Sequence, residues 1–411
     1  MSTKLLLPKI AELLGCNGSV PNVEITGAVI DSRKVLLGSL FIALDGEHVD
    51  GHDYIAAARK AGASAALVSK LQDDSLPQLV VADVTKAFGD IAKYWLKQCQ
   101  TKVVAITGSN GKTTVKEMVA SILSQWGTVV ATQGNLNNDL GVPLTIMNLK
   151  PSTDFAVIEM GASRRGDISR LVEIAPPQVS IINNVAPAHL EGFGDVLGVA
   201  KAKAEIFLGL VEAGVGVINA DMEFVEQWKQ VLADKQIVSF ALDNEADIKA
   251  LDLQLDAASS HFMVELKGEF DYINLSLPGK HNVANALAAI AVTSSMGVPT
   301  EAIVKGLADV SSVPHRLQLR KGVNHSQLID DTYNANPGSY EQALATLSSF
   351  TGEQWLVLGD FGELGAGSEH LHHQMGIDAR DAGVKRLWTI GSESEQASNA
   401  YGVGAEHFNN I

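Results

Sequence analysis

The stretch Val103-Val-Ala-Ile-Thr-Gly-Ser-Asn-Gly-Lys-Thr-Thr114 constrains the fold more than any other part of the chain. A short apolar run of strand type breaks into a glycine-rich turn, and Val115-Lys-Glu-Met-Val-Ala-Ser-Ile-Leu123 continues as a helix. Strand, turn and helix in that order make a phosphate cradle. Gly108 and Gly111 allow backbone conformations barred to residues with a Cβ, so the N–H groups of Ser109, Asn110 and their neighbours can converge on phosphate oxygens at the positive end of the helix. Lys112 adds a point charge for the outer phosphates, and the hydroxyl of Thr113 or Thr114 is placed to ligand magnesium. The common P-loop pattern has a glycine five residues before the second glycine, where this chain has Ile106. A bare Gly-x-x-Gly-Lys-Thr turn is also compatible with a tight connection and nothing more.

The chain has 411 residues, 46% of them hydrophobic, enough for two or three domains with cores of their own. Its net charge of −16 repels a nucleic-acid backbone, so no nucleic-acid partner is expected. The apolar run at the N-terminus is short and interrupted by Pro8 and Lys9, which fits neither a signal peptide nor a membrane span. Cys16 and Cys99 are too few for a disulfide framework, and that usage suits a reducing cytoplasm.

Residues 1–82 mix short strand-like runs with an Ala-rich helix. Asp31-Ser32-Arg33 places a hydroxyl and a guanidinium at a turn between two apolar runs; arginine is shaped for bidentate contact with phosphate, although a solvated loop or cap reads the same way. Residues 83–313 form a larger α/β unit in which Asp83 caps a helix to about Cys99. After the cradle, the loop 132–143 is crowded with amides, and Asn135, Asn137 and Asn138 suggest contacts to a polar substrate. The strand Phe155–Ile158 ends at Glu159, where an α/β fold puts a magnesium ligand. A parallel unit follows, with Val179–Val185 as strand and His189 in the loop at its end. The helix Ala200–Phe207 carries Lys201 and Lys203, and nothing in the residues alone separates these two from lysines of a solvated face. Asn282 and Asn285 lie one turn apart on a later helix; they could read an adenine edge, or the first could simply cap the helix. Ser312-Val-Pro-His-Arg316 reads as a hinge into residues 314–411, where the strands Ser326–Asp331, Trp355–Gly359 and Arg386–Ile390 alternate with helices as in a parallel sheet.

These segments, in order and spacing, resemble the Mur ligases, the ATP-dependent amide-forming enzymes of peptidoglycan precursor synthesis. The family's phosphate loop is the shorter Gly-x-x-Gly-Lys-Thr form, which accounts for Ile106, and its other hallmarks fall on Glu159, His189, Asn282, Asn285, Arg316 and Asp330-Asp331. Gly134-Asn-Leu-Asn-Asn-Asp139, His189-Leu-Glu-Gly-Phe-Gly194, Asp330-Asp-Thr-Tyr-Asn-Ala-Asn-Pro337 and Asp360-Phe-Gly-Glu-Leu-Gly365 are similar to the D-alanyl-D-alanine-adding branch. The resemblance implies an α/β fold of three domains: a UDP-sugar-binding domain (1–82), a central P-loop ATPase-like domain (83–313) and a Rossmann-like ligase domain (314–411).

It implies ATP across the cradle, with Asn282, Asn285, Arg316 and Asp331 around the nucleotide, and Lys112, Glu159, His189, Lys203 and Arg316 as catalytic groups. It implies two magnesium ions held by Thr113, Glu159, His189 and a CO2-derived carbamate on Lys203, the lysine two residues before Glu205-Ile-Phe. UDP-MurNAc-tripeptide would be held at its diphosphate end by Ser32 and Arg33, with Asn135, Asn137 and Asn138 also facing substrate. D-Ala-D-Ala would be held by Tyr333, Asn334 and Asn336, and Arg316 would touch ATP only after domain closure. A cytoplasmic monomer without membrane insertion is expected. Members of the family continue for some tens of residues into a last strand with a Lys-Gly-Ser-Arg-type loop, so the third domain is expected to be incomplete, with no closing element after Phe408.

Three other readings stay open on sequence. Folylpolyglutamate synthetase should lack the Asp31-Ser32-Arg33 segment. A diaminopimelate- or lysine-adding ligase would not carry Tyr-Asn-Ala-Asn. A catalytically dead nucleotide-binding regulator would not need Lys112, Glu159 and His189 intact.

Overall fold

A computed structural model of the chain describes residues 4–16, 20–46, 48–187 and 190–410. Four parallel strands, Gly27–Val29, Ser39–Ile42, Ala65–Val68 and Gln78–Val80, lie side by side in chain order. The middle two are buried at every position, the continuous apolar pattern of a parallel strand covered on both faces. The helix Val84–Cys99 is started by Asp83, whose side chain accepts from Lys86 N. Its stripe of Phe88, Ile91, Ala92 and Trp95 joins Leu40 and Leu67 of the first sheet to Ile146, Ile158 and Ile182 of the next region in one core.

The central sheet has nine strands, in the order Glu269–Leu275, Ser260–Leu266, Ile248–Leu255, Gln236–Ala241, Val215–Asn219, Val179–Ile182, Lys102–Thr107, Phe155–Glu159 and Val129–Ala131. The first two pairings are antiparallel and the rest parallel. Val103 and Ala105 face one core while Val104 and Ile106 face another. That alternation is what a sheet wound with helices on both sides requires. The strand Lys102–Thr107 lies between two parallel neighbours, with Ile106 opposite Glu159 and Thr107 opposite Ile182. Three strand ends therefore deliver their loops to one place. The helix Val225–Leu232 lies between the strands Val215–Asn219 and Gln236–Ala241.

The third region departs from expectation. Residues 326–331 do not enter the parallel sheet: Gln327–Asp330 pairs antiparallel with Gln318–Lys321 in a two-stranded sheet of its own. The parallel sheet instead takes Ala405–Phe408, for which no strand was expected, beside Arg386–Ile390 and Trp355–Gly359. Ala405-Glu-His-Phe408 is too short and polar to show strand periodicity; its place is set by neighbours such as Thr389, which hydrogen-bonds His407 Nδ1 at 2.8 Å. Helices Pro337–Ser348, Ser368–Asp381 and Glu395–Tyr401 bury Leu358 and Leu387 on one face, while Trp355 and Val357 stand exposed on the other. Among the described residues no helix is long and apolar enough to cross a membrane.

Candidate active site

The phosphate loop follows Thr107 and is moulded by the loop that follows Ile182. Asn184 Oδ1 accepts from Asn110 N at 2.8 Å, and the side-chain amides of Asn183 and Asn184 both donate to Asn110 O at 3.0 Å. Ser109 Oγ donates to Ala186 O and accepts from Ala186 N. Gly111 sits at φ 74°, and a Cβ there would collide with the amides of Asn285 and Asn183. Glycine is thus required twice at that position, by backbone conformation and by space. The strand expected over Val179–Val185 ends at Ile182, which leaves Asn183 and Asn184, absent from the expected site, in the loop against the cradle. Two amides closing an apolar run were the available signal.

Glu159 is 3% exposed. Its Oε2 accepts from Thr113 Oγ1 at 2.9 Å, its Oε1 from Asn137 Nδ2 at 2.8 Å, and its backbone N donates to Thr132 Oγ1. A carboxylate so enclosed needs such donors, because burying it without them costs several kcal/mol, on the order of the penalty for an unpaired ion. Lys112 Nζ turns back to donate to Gly108 O at 2.8 Å and Ser109 O at 3.2 Å. Desolvation lowers its pKa, opposed by Glu159 and assisted by Arg316.

Lys203 is the stronger case. It is 4% exposed on the helix Val196–Leu208, donates to the same Gly108 O at 3.0 Å, and has its pKa driven far down, first by burial and then by the charge of Lys112. Lys201, two residues earlier, is exposed. The structure separates two lysines that composition and spacing left equivalent.

Arg316 reaches the phosphate loop from the third region. Its Nη2 donates to Thr113 Oγ1 at 3.3 Å, and its guanidinium lies over the Tyr333 ring at 4.2 Å. The guanidinium expected to touch ATP after domain closure stands against the phosphate loop. Asn336 Nδ2 donates to Asn110 Oδ1 at 2.6 Å, a second contact between the regions. Asp331 accepts from Leu317 N, and burial raises its pKa. The basic side chains Lys112, Lys203 and Arg316 therefore converge on the loop beside the buried Glu159, with Lys112 and Arg316 placing positive charge there in a chain of net charge −16. That suits a polyphosphate.

The remaining expected residues divide. Asn282 is buried and donates to Pro278 O, with Gly279 at the N-cap, so it does not cap its helix; Asn285 Oδ1 accepts from Asn183 Nδ2 behind the phosphate loop. Asn138 Oδ1 accepts from Leu140 N and Gly141 N in the turn that leads into the helix Gly141–Ile146, and Asn135 is exposed. Asn334 is exposed and accepts from Ala335 N, and Thr114 lies in the first turn of the helix Lys112–Ser124. Ser32 and Arg33 form a 3-10 turn away from the phosphate loop, where Asp31 holds the Arg33 guanidinium by two bonds of 2.9 Å. That ion pair holds the Asp31 carboxyl down at about 2. His189 lies outside the described residues. Thr113 and Glu159 supply adjacent oxygen donors of the kind magnesium takes, while no group of three or more His, Cys, Asp or Glu side chains gathers as a metal cluster among the described residues.

A strand, a glycine-rich turn and buried acid and lysine partners on a doubly wound sheet define a phosphate-loop nucleotide enzyme with a further α/β unit docked over the loop. The chain belongs to the Mur ligase family. The Mur ligase middle domain matches residues 106–293, the glutamate ligase domain of the Mur ligases residues 315–410, and the Mur ligase family catalytic domain residues 24–96. The chain is 44% identical over 406 residues to the UDP-N-acetylmuramoyl-tripeptide--D-alanyl-D-alanine ligase of Escherichia coli, covering 98% of this chain and 89% of that one. A crystal structure of MurF from Acinetobacter baumannii superposes with a TM-score of 0.93 at 34% identity, covering 99% of this chain and 90% of that one. MurF of Thermotoga maritima in complex with ADP gives a TM-score of 0.82 at 28% identity, over 93% of this chain and 87% of that one.

Proposed function

We propose that the chain adds D-alanyl-D-alanine to a UDP-N-acetylmuramoyl-tripeptide at the expense of ATP, releasing ADP and phosphate. The observation that carries this reading is the convergence of Lys112, Lys203 and Arg316 on the Gly108–Thr113 loop beside Glu159, with the segment 333–336 brought against it from the third region. Relatives that share nearly the whole chain bear that name.

In the first step an oxygen of the tripeptide carboxylate bonds to the γ-phosphorus while the bridging P–O bond to ADP breaks, giving an acyl phosphate. In the second, the dipeptide amine bonds to the acyl carbon, phosphate leaves, and the nitrogen loses a proton. Phosphoryl transfer leaves little covalent work for the protein, so the cations Lys112 and Arg316 act by neutralising charge as it moves to the leaving oxygen. Asn282 and Asn285 are assigned to the adenine side and Asp331 to the nucleotide. Asn135, Asn137 and Asn138 are assigned to the tripeptide side, Ser32 and Arg33 to the diphosphate, and the loop Tyr333–Asn336 to the dipeptide. Magnesium, held by Thr113 and Glu159 with His189, would supply further neutralisation of the phosphates.

Lys203 is assigned a carbamate. Its burial and the neighbouring Lys112 favour the neutral amine, which is the form that bonds to CO2 and loses a proton to become an anion. We place the functional units at 1–82, 83–313 and 314–411, acting in the cytoplasm; the separate sheets on either side of the Ser312–Arg316 segment support the second boundary. The test is phosphate release from ATP and UDP-MurNAc-tripeptide with and without D-Ala-D-Ala, with mass spectrometry of the product. A product carrying a single amino acid, or phosphate release indifferent to the dipeptide, would overturn the reading.

A further inference from the structure

Asn336 is spent at both ends of its amide. It is the N-cap of the helix Pro337–Ser348, with Oδ1 accepting from Ser339 N at 2.9 Å and Ser339 Oγ meeting the Asn336 backbone in return. The backbone donor of Ser339 must meet an oxygen, and this fixes which end of the amide is which. Nδ2 is then left pointing outward, and it meets Asn110 Oδ1 at 2.6 Å. Four residues on, Tyr340 is buried and donates from its hydroxyl to Met375 O at 2.7 Å, so the cap is rigidly joined to the core of its own region.

On the other side Asn110 is equally constrained. Its backbone N and O are both held by Asn183 and Asn184. Gly338 lets the helix start approach the side chains of the phosphate-loop region closely: a Cβ there would stand 3.1 Å from Asn110 Nδ2 and 3.3 Å from Ala186 Cβ. Each partner is thus presented by a fixed frame, and the bond between them forms only when the frames are in this register.

We infer that Asn336 is a positioning residue that locks the acceptor loop 333–336 onto the phosphate loop through Asn110, rather than a group that touches the dipeptide. This rests on the proposed ligase reading and deepens it. The lock couples occupancy of the phosphate loop to placement of the incoming amine. A displacement of Asn110 by the nucleotide is felt at Asn336, and through the cap at Tyr333 and Asn334.

The test is a cycle on the full chain with Asn110→Asp, Asn336→Asp and the double variant, together with Asn336→Ser. Aspartate and serine both serve as N-caps, so the helix start survives each change at 336. In either aspartate single variant a donor amide remains opposite a carboxylate, by rotation of Asn110 in the case of Asn336→Asp. In the double variant two carboxylates face each other and the bond cannot form. The expected result is a dipeptide kcat/KM lowered by the double change about tenfold or more beyond the product of the single effects, the size of coupling found for side chains in direct contact. Radius of gyration by X-ray scattering without substrates should also rise in the double variant and in Asn336→Ser, but not in the aspartate single variants.

Effects that multiply within about twofold would overturn the lock, as would four unchanged scattering profiles, since distant independent sites are simply additive in free energy. The scattering result does not depend on which substrates the enzyme takes, so a failed lock and a failed ligase reading are told apart. If the double variant does not fold, Asn110→Ala, Asn336→Ser and their combination give the same cycle. A shared bond makes the pair no worse than its worse member, and a multiplied loss rejects the lock.

Discussion

Around the phosphate loop the working side chains are enclosed and held: Glu159 and Lys203 are 3% and 4% exposed, and each has hydrogen-bond partners on neighbouring strands or loops. The loop that reaches it from the third region is built differently. Tyr333 is 45% exposed, Asn334 is exposed, and the sheet behind them is covered on one face only. Charge on a transferring phosphoryl group is best met by dipoles and cations that do not reorganise, which favours the buried frame. An incoming dipeptide must enter and its product must leave, which favours a surface loop that docks. The contrast predicts that changes in the cradle abolish chemistry, and that changes in the acceptor loop weaken binding.

The largest effect should come from Lys112→Ala. ATP turnover is expected to fall about a thousandfold or more, the upper range for loss of one preorganised charge stabiliser. The melting temperature should hardly move, because among the described residues Lys112 Nζ hydrogen-bonds only to the carbonyls of its own loop. Turnover within about tenfold of wild type would remove the distinction between the two regions.

Lys203→Ala should come next, with a rate loss of about a hundredfold or more partly restored by a short carboxylic acid, if a carbamate is the working form. Loss without rescue would leave the lysine essential and the carbamate rejected. A separate measurement uses the sign of its pKa shift. The folded value is lowered, so between that value and 10.5 the unfolded chain binds the extra proton, and stability rises with pH across that window. Lys203→Met, which needs no proton balance, should be the more stable protein at neutral pH. Calorimetry should show wild type gaining on it as pH climbs towards 10.5; parallel curves would mean that Lys203 is not desolvated.

How much of this was legible in the sequence follows the same division. Where candidate site residues sit at the ends of apolar parallel strands, the pattern placed them: Gly108–Thr114 and Glu159 lie at those strand ends. Residues that act through partners distant in the chain were opaque. Asn183 and Asn184 close an apolar run that reads as strand, and the bond of Asn336 to Asn110, 226 positions away, is not visible locally. In the third region, strand membership failed for a related reason. The pairing of Gln327–Asp330 with Gln318–Lys321 and the recruitment of Ala405–Phe408 are decided by neighbours, and four-residue strands carry too little periodicity to reveal it.

Asn334→Ala tests the acceptor side. It should raise the KM for D-Ala-D-Ala about tenfold, the worth of one or two hydrogen bonds, while the KM for ATP stays put. Equal changes in both constants would place Asn334 with the nucleotide, and the two regions would no longer divide the work as proposed.

The smallest effect should be that of Lys201→Ala, and it is the sharpest control on the contrast. Lys201 and Lys203 share one helix, one charge and near-identical neighbours in sequence, but positions two apart on a helix face different directions. Lys203 is turned inward to Gly108 O, whereas Lys201 is exposed and has no hydrogen bond or ion pair to lose among the described residues. Alanine is the better helix former, so the exchange should alter stability by less than about half a kcal/mol and leave turnover within error of wild type. A large loss at Lys201 would mean that the helix supplies general positive charge to the site rather than one buried amine. The rescue expected at Lys203 should then fail as well, since an added anion would be replacing nothing.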